Sequence, residues 1–441
     1  MHRAAQHLAM CVATALREVG FAVYYVGGSV RDRLLGLDTS DMDLCTDAPP
    51  AQLCHLFPGA LEVGAHFGVV IVRGQGAEVE VATFRSETSY RDGRHPEAVH
   101  LETDPQKDVL RRDFTINALL QDPFSGEVLD FVGGRADLES RLVRAIGDPY
   151  VRFAEDHLRL LRAVRFAARF SFEIEPATFS AMRELAPAIE RIAPERVRAE
   201  LTRILTEGGA RRGLELLDAS GLLRYVLPEV ERLKGVPQPP EFHPEGDVWT
   251  HTLLVMEALG PCEPVLAWAA LLHDIAKPAT MSVTDRIRFH GHAEQGATLA
   301  RQILTRLRAS NELIDAVAAL VGAHMQFRNV PEMGEAAFRR FIRLPHFDEL
   351  QQLHRADRLG SQQGLEMLDL IALRRASLTE ADLRPTPLLR GHDLIAQGYK
   401  PGPEMGKILH ALEEMQLEGR LTTRGDALKW LQENFPAPPA S

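Results

Sequence analysis

Two aspartates one residue apart, Asp41 and Asp43, follow a glycine pair, Gly27 and Gly28, with Ser29 and Arg31 between. On a strand, a spacing of two puts both carboxylates on one face. Carboxylates side by side repel unless a cation neutralises them, and oxygen ligands of this kind suit Mg²⁺ bridged to phosphate oxygens. In two-metal chemistry one ion activates an attacking oxygen and the other steadies the leaving group. Glycines between a strand and a helix let backbone N–H groups approach an anion closely, and Arg31 adds a fixed positive charge.

Two further groups of residues could do chemistry. In "EDHLRLLRAVRFAAR" (155–169), helical spacing gathers Arg159, Arg162, Arg165 and Arg169 in one arc, with Leu160, Leu161, Val164 and Ala168 opposite. Asp156 precedes them. Cytosine and adenine present an amino donor beside a ring-nitrogen acceptor; guanine and uracil present a carbonyl beside an N–H. A carboxylate accepts and a guanidinium donates, so an Asp–Arg pair matches C and A. In the second half, His251, His273, Asp274, His290, His292, His324, His354 and Asp357 stand near helix ends, as an imidazole–carboxylate metal site requires.

The elements that must position these residues differ along the chain. Short β-branched or alternating runs at 21–26, 41–45, 69–73 and 78–84 predict strands, and 29–36 a helix start. Beyond about residue 150 strand signals nearly vanish and helical periodicity takes over. The fold class expected is α+β: a small mixed-sheet head over 1–140, a helical neck and body over 141–235, a histidine-rich helical domain over 245–360, and a small helical tail over 380–441. The segment 233–247, rich in Pro and Gly, reads as a linker, and 85–104 as an exposed hairpin containing Arg91, Asp92 and Arg94. The 441 residues suffice for several cores, and the net charge of −11 leaves room only for a local basic face. Cys11, Cys45, Cys54 and Cys262 lack paired metal spacing, no run is apolar enough to span a membrane, and the N-terminus reads as an amphipathic helix. The expected location is the cytoplasm.

"VGGSVRDRLLG" followed by D-M-D, "RRDFTINALL" (111–120) and the E-D-x-x-R segment together resemble, in order, three signatures of the class II tRNA nucleotidyltransferase and bacterial poly(A) polymerase family, within the polymerase-β superfamily. The resemblance implies a polymerase-β-like head in which Asp41 and Asp43 hold catalytic Mg²⁺, with Glu80 or Glu78 as a third carboxylate. It implies that Gly27, Gly28 and Arg31 meet the triphosphate, that Arg112 and Asp113 read the ribose 2′-hydroxyl, and that Asn117 supports them. Asp156 and Arg159 would be the template for the base, and Arg162 and Arg165 partners of the base or phosphates. The retained loop at 85–104 disfavours a relative that adds only CC. The histidine series resembles the HD phosphohydrolase superfamily, which implies one divalent metal on His251, His273, Asp274 and Asp357, a second metal or substrate phosphate at His292 and His324, and Lys277 near the phosphate. The expected activity is template-independent addition of C, C and A to tRNA 3′ ends from CTP and ATP, with a metal-dependent phosphohydrolase in the second half. The alternatives are a poly(A) polymerase, an A-only-adding enzyme, an HD phosphohydrolase with a nucleotide-binding head, and a non-catalytic RNA-binding protein.

Overall fold

β-branched and aromatic runs, each a few residues long, build a seven-stranded sheet near the N-terminus. The computed structural model describes residues 2–38, 42–63, 68–74, 76–90, 96–241 and 243–436. The chain forms two compact units: one comprises residues up to Arg232 with Gly260–Cys262 and Arg306–Ala309, the other Leu233–Leu259, Glu263–Thr305 and the chain from Ser310 onward.

In the first unit, α1 (His2–Glu18) leads into β1 (Val23–Val26), α2 (Gly28–Leu34), β2 (Leu44–Thr46) and α3 (Pro50–Leu56). Strands β3 (Leu61–Glu62), β4 (Val69–Gly74) and β5 (Ala77–Thr83) follow. Next come the hairpin β6 (Arg85–Tyr90) and β7 (Pro96–Leu101), then α4 (Pro105–Leu110), β8 (Leu120–Gln121) and β9 (Val128–Leu129). The sheet order is β3-β4-β5-β2-β1-β8-β9, in which β2 and β5 are the parallel pair. Alternation along β5 buries Val79, Val81 and Thr83 and leaves Glu78 and Glu80 exposed on the other face. Val26, Cys45, Phe84, Val109, Ala118, Leu120 and Ile146 form the core beneath, and burying each large apolar side chain contributes about 1.5–3 kcal/mol.

The expected strand over 41–45 is shorter and later: β2 begins at Leu44, so Asp43 precedes it, and Asp41 lies outside the described residues. Helices then dominate. They include α5 (Gly134–Glu139), α6 (Pro149–Glu155), α7 (Arg159–Phe170), α8 (Pro176–Leu185), α9 (Pro194–Thr206) and α10 (Ala210–Ala219). A two-residue parallel pair, β10 (Leu142–Val143) with β11 (Glu173–Ile174), interrupts them. Leu160, Leu161, Val164, Ala167 and Ala168 bury the inner face of α7 against α9 and α10. The contact with α10 is close enough to require glycine at its N-cap: Gly209 has φ +71°, and a Cβ there would lie 2.3 Å from the Ala168 carbonyl oxygen.

The second unit carries the helices Val248–Leu259, Pro264–Leu272, His292–Arg306, Asn311–Ala323 and Phe347–Gly360, and a hairpin of β12 (Met281–Val283) and β13 (Ile287–Phe289) that periodicity did not predict. Leu389, Leu394, Ile408, Leu412 and Leu431 form a separate small core in the tail, whose helices include Pro403–Leu417 and Arg424–Asn434. Among the described residues no helix is long and apolar enough to cross a membrane.

Candidate active sites

The turn from β1 to α2 needs the left-handed backbone of Gly27 (φ +70°). It leaves Gly28 and Ser29 at a cleft of about 680 Å³, which Asp43, Arg112, Asp113 and Asn117 also line, together with Arg162, Arg165 and Arg169 of α7. Asp43 stays tied to the sheet, because its carbonyl accepts the Val26 N–H at 3.1 Å. The parallel register Leu44↔Val81 puts Asp43 beside Glu80, and both line a smaller cleft with Arg111 and Arg112. Glu78 shares the face of Glu80 but is ion-paired with Arg73 at 2.7 Å. Of the two glutamates, Glu80 is the one standing with Asp43.

Buried charge organises the arginine motif. Asp108, 1% exposed, accepts Arg111 Nη2 at 2.7 Å and Arg112 Nη2 at 2.8 Å. Burial alone would raise its pKa, but Arg112 and Arg111 outweigh this and hold it below the usual carboxylate range. Arg111 also pairs with Glu87 of β6 at 3.1 Å, which ties the hairpin base to the motif. Asp113 accepts from the Phe114 N–H (2.8 Å), Asn117 Nδ2 (3.1 Å) and Arg162 Nε (2.7 Å). Against the upward push of burial, Arg162 and Arg159 bring its pKa down to about 2.

Arg31, expected to touch a triphosphate, is 3% exposed and fully engaged: Nε donates to Asp32 at 2.7 Å, Nη1 to Asn117 Oδ1 at 2.5 Å, and the guanidinium lies 5.0 and 4.6 Å from the Phe166 and Phe170 ring centres. Arg31 thus joins α2, Asn117 and α7, and it also lines the 680 Å³ cleft. Phe166 also underlies Arg162 and Arg165 at 5.4 and 4.4 Å. Arg165, 3% exposed, faces Glu200 at 3.2 Å, and burial pulls its pKa down to about 10.

The expected continuous helix over 155–169 is broken. Asp156 is extended (φ −147°, ψ 103°), ends α6, and accepts the Leu158 N–H at 3.0 Å ahead of α7. All four arginines of the predicted stripe still lie on α7, and three of them, Arg162, Arg165 and Arg169, line the 680 Å³ cleft. Arg159 is not in that lining: its Nη1 donates to Glu155 at 2.5 Å and its Nη2 to the Arg111 carbonyl at 3.0 Å. Asp156 pairs with Arg196 of α9, and neither Asp156 nor Arg159 is among the residues lining the 680 Å³ cleft.

The second unit gathers its histidines around Asp274. His273, His292 and His324 each donate Nδ1–H to the carbonyl three residues earlier, at 2.8, 2.8 and 2.6 Å. This fixes the tautomer and leaves each Nε2 as a lone-pair donor. His251 Nδ1 is held by Glu245 at 2.8 Å. The Nε2 atoms meet in pairs, His251 with His273 at 3.3 Å and His292 with His324 at 3.2 Å. Asp274 spans both pairs: Oδ2 is 3.1 Å from His273 and 2.6 Å from Lys277 Nζ, and Oδ1 is 3.6 Å from His292. Asp357 Oδ1 is 3.1 Å from His251. Asp274 thus belongs with His292 and His324 as well as with the first group. Facing lone pairs repel, so this donor set fits a cation; two sets, His251–His273–Asp357 and Asp274–His292–His324, have ligand atoms within 4.8 Å of one another. Burial would raise the Asp274 pKa, but His273, Lys277 and His251 hold it well below the usual range. The adjoining cleft of about 580 Å³ is also lined by His290, Arg286, Arg328 and Arg358. His354 is not in the cluster; it stacks on Phe327 at 4.1 Å.

Sequence reading missed the contribution of 233–247, taken for a linker. Its ends are bridged (Pro237 with Asp247), Gln238 Oε1 accepts from Lys277 at 2.6 Å, and Glu245 orients His251. The histidine–carboxylate spacing His243-x-Glu245 was the available signal.

A sheet carrying a glycine turn above neighbouring acidic strands, joined to an arginine-faced helix, defines a nucleotidyltransferase. The Poly A polymerase head domain family matches residues 23–144, the probable RNA and SrmB-binding site of polymerase A matches 171–234, and the HD domain matches 248–361. A CCA-adding enzyme of Latilactobacillus sakei is 33% identical over 95% of this chain and 96% of its own, and one of Lactococcus lactis is 33% identical over 93% of each. The crystal structure of the Bacillus stearothermophilus CCA-adding enzyme in complex with CTP superposes with a TM-score of 0.75 at 26% identity, covering 96% of both chains. The chain belongs to the family of CCA-adding enzymes.

Proposed function

We propose that this protein adds C, C and A to tRNA 3′ ends in the cytoplasm, using CTP and ATP. The observation that carries the reading is Asp43 beside Glu80 at the edge of a cleft lined by Gly28, Arg112 and Asp113. The tRNA 3′-hydroxyl attacks the α-phosphate in line, the bond to the β-phosphate breaks, and pyrophosphate leaves. Asp41 and Asp43, with Glu80, are the residues that would hold Mg²⁺. Bound there, Mg²⁺ supplies neutralisation of the triphosphate and lowers the pKa of the attacking hydroxyl. Gly27 and Gly28 offer backbone to the triphosphate, Arg112 and Asp113 read the ribose, and Arg162 and Arg165 supply charge to base or phosphates. Arg31, which lines the same cleft, adds positive charge toward the triphosphate, and Asn117 supports the ribose site. Asp156 and Arg159 read the base, accepting from and donating to the edge shared by C and A.

Relatives matched over nearly the whole chain bear the name CCA-adding enzyme, which favours this reading over A-only addition or a poly(A) polymerase. The test is purified protein with Mg²⁺, a tRNA lacking its end, and each NTP singly and paired. Ordered C, C, A and a stop is expected; A tails of open length would overturn it.

A second activity is favoured by the convergent Nε2 atoms around Asp274. His251, His273, Asp274 and Asp357, with His292 and His324, would hold divalent metal and hydrolyse a phosphoester, with Lys277 near the phosphate. Opening of a 2′,3′-cyclic phosphate RNA end by water to a terminal monophosphate, lost in Asp274→Asn, tests it.

A further inference from the structure

We infer that Arg196 is a positioning residue for base selection, holding the Asp156 carboxylate at the one place from which it favours C and A. The inference rests on the reading of Asp156 as a base reader. Arg196 Nη2 donates to Asp156 Oδ2 at 2.7 Å and Nη1 to Oδ1 at 3.3 Å, a two-pronged pair across 40 residues of chain. The Leu158 N–H adds a third bond, to Oδ1 at 3.0 Å. Both side chains are about three-quarters buried, at 26% and 21% exposure. A carboxylate has about four lone-pair sites. Three are taken, so the one left lies on Oδ2, in a plane set by the guanidinium fork.

That fixed plane matters because polarity alone does not separate the bases. Uracil and guanine also carry an N–H donor, at the ring nitrogen beside the carbonyl. A carboxylate free to swing about its last torsion, which is soft, can shift by one position and accept that N–H instead. Held in place, it meets the amino group of C or A, or the carbonyl of U or G, and the latter contact is repulsive. Arg196 itself is fixed, since it lies in the first turn of α9, whose Val197, Glu200 and Leu201 are buried. Arg159 has its own supports in Glu155 and the Arg111 carbonyl, so the hold on Asp156 is separable from it.

The experiment measures kcat/KM for CTP and UTP on a tRNA lacking its end, and for ATP and GTP on one ending in CC, using full-length Arg196→Ala, Arg196→Lys and Asp156→Ala. Loss of a charged hydrogen-bonding partner should lower the C-over-U and A-over-G ratios about tenfold or more in Arg196→Ala, with Arg196→Lys between it and the parent. A proportional loss with all four nucleotides would mark Arg196 as merely structural and overturn the inference, provided Asp156→Ala does collapse the ratios. Unchanged ratios in Asp156→Ala would overturn the base-reader reading itself, and this inference with it. Should Arg196→Ala fail to fold, Arg196→Gln, which keeps donors without the charge, is read by the same ratios.

Discussion

Asp113 and Arg162 stand 49 residues apart in the chain and 2.7 Å apart in space, joining the RRD motif to the first half of α7. Asp113 is 7% exposed, and its pKa is depressed from 3.8 to about 2. A depressed carboxylate contributes stability that is present above its unfolded value and lost as pH falls through its folded one. Ionised Asp113, with Arg162, Arg159 and Asn117 around it, should therefore add roughly 2 kcal/mol at neutral pH, fading as pH drops from 3.8 towards 2. Urea unfolding across that window should show a steeper loss in the parent than in Asp113→Asn; equal slopes would refute the coupling.

Glu80 and Glu78 share a face of β5 and differ in company. Glu80→Gln should lower nucleotide addition at least about tenfold and raise its Mg²⁺ requirement, as lost metal-site support does. Glu78→Gln should stay near the parent, because only the surface pair with Arg73 is lost. Asp43→Ala should abolish addition. Rates titrated with Mg²⁺ decide, and equal effects of the two glutamates would count against the site.

Metal bound by the histidine cluster should loosen about 10–100-fold in Glu245→Gln, which removes the carboxylate orienting His251. Asp274→Asn should lose metal outright, whereas Asp43→Ala should keep it. Elemental analysis after dialysis, alongside competition with a chelating dye, reads this directly.

Gly209→Ala meets both a left-handed backbone and the Ala168 carbonyl, and should cost about 1–3 kcal/mol beyond the backbone strain alone. Gly126, at φ +74° with nothing within 4 Å of a built Cβ, is the comparison. Denaturant midpoints of the two alanine variants should differ in that order.

What could be read from sequence was what is local. The Gly27–Gly28 turn, the strand runs around it and the buried face of α7 follow from period and residue type. The break at Asp156 was hidden because no Pro or Gly marks it; a side chain capping the Leu158 N–H makes it. The role of Glu245 was hidden because Pro and Gly around it signal a connection, while its partner His251 lies in the following helix. Arg196 carries no periodic signature at all, since its partner is 40 residues away. Arg31 shows what spacing leaves out: a charge beside a glycine turn suggests a ligand, and it does line the cleft, but its partners Asp32, Asn117 and two aromatic rings come from contacts that periodicity does not signal.

The parallel register of β2 and β5 has a consequence for how this protein tolerates change. Asp43 and Glu80 belong to distant stretches of chain, yet their separation is set by the spacing between neighbouring strands, about 4.8 Å. Their geometry is thus inherited from a backbone ladder rather than from loop lengths. Lengthening the β4–β5 turn should leave the pair intact, whereas deleting one residue ahead of Glu80 within β5 would point its carboxylate into the core. The sheet edge that carries Asp43 and Glu80 is insulated from insertions and exposed to single-residue slips.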